Sequence, residues 1–62
     1  MKKFGYSISE DNTLTIYTEE MAVISTVSEA DRNECEWLVE DTLYNLGYIS
    51  EDEEVSLFEV EL

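Results

Sequence analysis

The chain lacks histidine and proline altogether, and it has one cysteine, two glycines and three basic residues among 62. Each scarcity removes a class of function. Without histidine, a serine or cysteine nucleophile has no base of the usual kind. One cysteine and no histidine cannot supply the usual zinc ligand set. Cys35 has no partner for an intrachain disulfide, which agrees with a reducing, cytoplasmic home. Lys2, Lys3 and Arg32 are too few to form a basic patch, so direct nucleic-acid binding is not expected. The longest uninterrupted apolar run, Met21 to Ile24, is far below a membrane span. An acidic surface is also repelled by anionic lipid headgroups. The two N-terminal lysines are followed by no apolar stretch, so a secretion signal is not expected. With no proline, no Gly/Ser linker and no repeat, residues 1–62 read as a single domain.

What the chain has in excess is acid. Sixteen Asp and Glu against three Lys and Arg give a formal net charge of −13. Solubility asks a small domain for a magnitude of only about 2 to 8. Two carboxylates about 6 Å apart in bulk-water dielectric repel by roughly 0.7 kcal/mol before salt screening. Many such pairs approach the whole stability of a small domain, about 5–15 kcal/mol. A chain that carries this burden is expected to use the field, and positively charged surfaces are its natural partners. The apolar fraction is nevertheless 44%, with two Phe, four Tyr and one Trp, close to the globular norm of about 45–50%. A folded domain is therefore expected. The charge opposes self-association except through an apolar interface, which leaves a monomer or a small homo-oligomer.

Phe4, Tyr6 and Ile8 alternate with Gly5, Ser7 and Ser9, the period of a half-buried strand. Glu10-Asp11-Asn12 is turn-prone, and Leu14 and Ile16 open a second strand, giving a hairpin. Met21 to Val27 reads as a third strand. Ser28 is the expected helix N-cap, with Glu29 and Asp31 in the first turn. The helix is expected from Glu29 to Leu46, with Gly47 as its stop and an Arg32–Glu36 pair along it. Glu51 to Glu54 forms an acidic loop. Val55 to Leu62 closes as a strand, with Phe58, Val60 and Leu62 on one face and Glu59 and Glu61 on the other. The predicted fold is α+β: a short, mostly antiparallel sheet of three to four strands in the order ββ(β)αβ, with one helix packed on one face.

At about 100° per residue the helix sorts into two sides. Cys35, Leu38, Val39, Thr42, Leu43 and Leu46 form the core stripe, so Cys35 is read as an inert buried thiol. Glu34, Trp37, Glu40, Asp41 and Tyr44 lie opposite. Trp37 and Tyr44, seven apart, line up two turns apart. Either they fold over the helix flank to cover a sheet edge or loop, or they form an aromatic strip within an acidic rim, the composition of an interface anchor. Further acids stand in the loop (Glu51, Asp52, Glu53, Glu54) and on the last strand (Glu59, Glu61). Carboxylates spaced about 6.6 Å apart on a strand, or about 5–6 Å apart on a helix, are suited to imitating a phosphate track. A calcium site at Glu51 to Glu54 is not supported, because the loop lacks the spaced ligands and central glycine of an EF-hand. No acid is marked out as a glycosidase carboxylate. No cofactor or metal is expected.

In size, charge and α+β pattern, the chain resembles the small acidic phage proteins that mimic DNA to block host defence, the anti-CRISPR and anti-restriction proteins. The acid clusters Glu10-Asp11, Glu19-Glu20, Glu40-Asp41 and Glu51-Asp52-Glu53-Glu54 carry the resemblance. These families share little sequence, so no site residue is transferred from them. The resemblance implies a stoichiometric inhibitor, acting in the host-cell cytoplasm, whose partner is a basic nucleic-acid-binding protein. A CRISPR effector subunit is one such partner, and in a type I effector the surface that reads the motif beside the target is a candidate. Two other readings stand beside it. An acidic regulatory adaptor would bind a basic protein away from its nucleic-acid site. Halophilic adaptation would account for the acids with no partner.

Overall fold

A computed structural model of the chain describes residues 1–61. Four strands and one helix are arranged as an α+β fold. Strands β1 (Lys2–Ile8) and β2 (Leu14–Thr18) form the expected hairpin, and β3 (Val23–Val27) adds to β2 antiparallel. The last strand, β4 (Val55–Glu59), pairs with β1 in parallel, so the sheet order is β3-β2-β1-β4 and the sheet is mixed. A parallel neighbour requires a crossover, and helix α1 (Cys35–Leu46) provides it. The local alternation of β4 was legible; its direction relative to β1 depends on where the crossover delivers it.

The pairing register assigns the faces. Phe4, Tyr6, Ile8, Leu14, Ile16, Val55 and Leu57 share one side of the sheet and join the core with Ala30, Cys35, Val39 and Leu43. Leu14, Ile16, Val39 and Leu43 are wholly buried. Phe58 and Val60 fall on the opposite face, over Gly5. There the Tyr17 hydroxyl meets the Ser7 hydroxyl at 3.1 Å, and both residues are buried. The open face thus carries a small cluster of its own, centred on Gly5, which lies between Tyr17 and Phe58 in the register. A Cβ on Gly5 would stand 2.7 Å from Phe58 Cε2 and 2.9 Å from Val60 Cγ2. We expect Gly5→Ala to cost about 1–3 kcal/mol by overpacking, read as a lower urea midpoint, and Phe58→Leu in the same chain to recover part of it. An unchanged midpoint in Gly5→Ala would show that Phe58 is free to swing away.

Several expectations are corrected. The helix does not begin at Glu29. Ser28 and Glu29 form a turn with Glu29 in the left-handed region at φ 55°, a conformation that interrupts a right-handed helix. Ala30 is buried and its N–H donates to Asn12 O at 2.8 Å, which draws the chain back to the hairpin turn. Asp31, not Ser28, is the cap: its carboxylate accepts from Asn33 N at 2.8 Å and opens a 3-10 turn over Arg32–Glu34. Arg32 does not pair with Glu36. Its Nε donates to Asn12 Oδ1 at 2.9 Å and its Nη2 to Ser9 O, fastening the helix start to the β1–β2 turn. Leu46 is 52% exposed rather than core, because Gly47 (φ 87°) turns the chain away in a Schellman-type cap, with Gly47 N bonding Tyr44 O and Tyr48 N bonding Leu43 O. The outer strands are also shorter than expected: β3 starts at Val23 and β4 ends at Glu59, although Val60 N still donates to Tyr6 O at 2.7 Å. Leu62, assigned by alternation to the apolar face, lies outside the described residues.

Candidate functional site

The cap at Gly47 decides what stands beside the helix. Beyond it, Tyr48 packs edge-on against Phe4 with ring centroids 6.2 Å apart, and Ile49 joins the core margin. Lys2 fastens this return segment: its Nζ donates to Tyr48 O at 2.8 Å and lies 3.3 Å from Glu53 Oε2. Glu53 also accepts from Ser50 N at 3.0 Å. That N–H, followed by Lys2, holds the Glu53 carboxyl below its ordinary pKa. The loop is therefore held along the outer side of α1.

The result is a shallow cleft of about 330 Å³ lined by Trp37, Glu40, Asp41, Tyr44, Ile49, Glu51 and Glu53. Six residues chosen from helical periodicity and the loop run are brought together here, although two of them are some ten residues distant along the chain. Trp37 is 60% exposed and Tyr44 47%, so the aromatic strip faces outward. Asp41 accepts a hydrogen bond from Asn45 Nδ2 at 3.3 Å, one turn on.

A second, larger cleft of about 600 Å³ lies toward the helix start, lined by Tyr6, Glu36, Trp37 and the 32–35 segment. Glu34 belongs here rather than with Glu40 and Asp41, and Trp37 borders both clefts. Glu59 stands opposite Tyr6 in the β1–β4 register. Burial, then the charges of Glu36 and Glu59, push the Tyr6 phenol above its ordinary pKa. Burial also pushes up the Cys35 thiol, against the pull of Arg32, and Asp31 and Glu59 add to the rise. Its Sγ approaches Arg32 O at 3.5 Å, the surroundings of a packed thiol and not of an activated one. Asp52, Glu54 and Glu61 are exposed but line neither cleft.

Ile49, Tyr6 and Glu36 were not singled out from sequence as site residues. The apolar pair Tyr48-Ile49 directly after a helix-stopping glycine was the available signal for Ile49. Tyr6 and Glu36 come together only through packing of α1 on β1.

Electrostatically the surface is almost unneutralised. Among the described residues Glu53 is the only carboxylate in an ion pair, with Lys2. The other fifteen of the sixteen are exposed. The Asp11 carboxyl is lowered by the hydroxyl of Ser9 and by Thr13 within the hairpin turn. No three His, Cys, Asp or Glu side chains among the described residues are grouped so as to hold a metal ion. Among the described residues no helix is long and apolar enough to cross a membrane. In comparisons with family models, curated proteins and solved structures, the chain matches none of them.

Proposed function

We propose that this chain is a stoichiometric inhibitor that lies in the basic nucleic-acid groove of a host defence protein, a CRISPR effector in the first instance, and keeps nucleic acid out. The observation that carries this reading is the set of fifteen exposed carboxylates without ion pairs on a body carrying −13. The Cα framework measures 30 × 21 × 17 Å. Over its 30 Å length, B-DNA at one charge per about 1.7 Å of axis would present about 18 phosphates. The domain thus offers a charge density of the same order as the duplex it would replace. Phosphate contacts supply most non-specific affinity for nucleic acid, so spaced carboxylates suffice to compete for such a groove without any base edge. The fold supplies a rigid carrier, and the aromatic cleft at Trp37 and Tyr44 supplies short-range contact that charge alone does not give.

The test is a competition assay with purified effector complex and labelled duplex. The chain is expected to displace the duplex completely near equimolar ratio, and its binding is expected to weaken steeply as salt rises. An effector saturated with the chain that still holds its duplex would overturn the reading and favour an adaptor bound elsewhere.

A further inference from the structure

The smaller cleft differs from the rest of the acidic surface. Trp37, Tyr44 and Ile49 supply apolar walls, and Glu40, Asp41 and Glu51 stand around them. Its volume of about 330 Å³ is at the low end for a ligand pocket. Of the chain's own cations, Arg32 is held on Ser9 and Asn12, and Lys2 is held on Tyr48 O and on Glu53 at the edge of this cleft.

We infer that this cleft receives one arginine side chain of the partner, with the guanidinium laid on the Trp37 and Tyr44 rings and its N–H groups directed to the surrounding carboxylates. The inference rests on the reading of the chain as a binder of basic surfaces and names the group it grips. Charge complementarity selects the occupant. An apolar side chain would gain contact with the walls but would desolvate the surrounding carboxylates without giving them a hydrogen bond. A nucleotide base would stack on the rings, but its phosphate would meet the like charges of Glu40, Asp41 and Glu51. A metal ion finds no set of three grouped ligands among the described residues. Lysine matches the charge but not the surface. Its ammonium is compact and strongly hydrated, whereas guanidinium is planar, weakly hydrated, stacks on aromatic faces and forks to carboxylates. Trp, Tyr and Arg are also the residues that most often dominate interface energetics.

Trp37 is the single tryptophan and borders both clefts, so its emission reports binding at either, and the Tyr44 variant, which alters only the smaller cleft, assigns the signal. The full chain is titrated at low ionic strength with the capped peptide Gly-Arg-Gly and with its lysine and citrulline counterparts. The arginine peptide is expected to give a saturable change in Trp37 emission. The lysine peptide is expected to bind at least about threefold more weakly, and citrulline, which keeps the shape and lacks the charge, to give no saturation. Tyr44→Leu, at a position 47% exposed and checked for folding by circular dichroism, is expected to reduce the arginine preference over lysine. Equal binding of arginine and lysine, saturation by citrulline, or no saturable change with any peptide would overturn the assignment. The competition assay separates this from the function proposed above. If Trp37→Leu displaces duplex as well as the parent chain, the cleft assignment fails and groove occupation stands. If the arginine peptide saturates the cleft while duplex is never displaced, the cleft assignment stands and groove occupation fails.

Discussion

The double reversal Glu40→Lys with Asp41→Lys is expected to weaken binding to the basic partner by about 100-fold while leaving the domain folded. Both side chains are exposed on the outer side of α1 and line the Trp37–Tyr44 cleft. Each reversal removes a favourable contact with a cationic groove and installs a like charge against it. If each costs about 1.4 kcal/mol, a tenfold loss, the two together reach that figure. The fold has little to lose, since among the described residues the only side-chain hydrogen bond at risk is the 3.3 Å contact from Asn45 to Asp41, and relief of repulsion along the helix works the other way. The matched control is Glu19→Lys with Glu20→Lys. It moves the net charge by the same amount, from −13 to −9, but sits in the β2–β3 turn away from both clefts. Isothermal titration against the partner distinguishes the cases. A large loss in the first variant and a small one in the second places the contact on the helix. Equal losses would mean that bulk charge, and no particular face, governs affinity. Normal binding by the first variant would remove the helix face from the interface.

Leu43→Ala is expected to have the largest effect on stability, about 2–5 kcal/mol. Leu43 is wholly buried in the core between α1 and the sheet, and its carbonyl accepts the Tyr48 N–H of the helix cap at 2.9 Å. At about 0.05–0.15 kcal/mol per residue, a chain of 62 residues holds only about 3–9 kcal/mol in total. One cavity therefore removes about a fifth of the stability or more, and at the unfavourable end it unfolds the domain outright. The comparison that makes the result informative is Leu46→Ala, three residues on and formally on the same apolar stripe. It is 52% exposed and is expected to cost well under 1 kcal/mol, since alanine recovers helix propensity. Urea unfolding of the two variants reads the difference. Similar midpoints would mean that α1 is rotated or extended relative to the arrangement described here.

Much of this was legible along the chain, and the reason is locality. The hairpin follows from alternation in Phe4-Tyr6-Ile8 and Leu14-Ile16 with a turn-prone segment between them, and all of these lie within thirteen residues. The end of α1 follows from Gly47, because only a residue without Cβ takes φ 87° at no cost. The outward placement of Trp37 and Tyr44 follows from helical period alone, and the charge that motivates the functional proposal is a matter of counting. Packing decided the rest. Ser28 carries a cap signal as good as that of Asp31, and what chose between them was the docking of Ala30 and Arg32 onto a turn some twenty residues earlier. Alternation in β4 split its residues into two sets without saying that Val55 and Leu57 meet the helix while Phe58 closes over Gly5, since that depends on pairing with β1. The cleft itself was divided between two segments, Trp37 to Tyr44 and Glu51 to Glu53, each readable in its own right. Their meeting required a cap to reverse the chain and Lys2 to fasten the returning loop. Composition and period are properties of one segment, whereas a site assembled from two segments exists only once distant contacts have set the path between them.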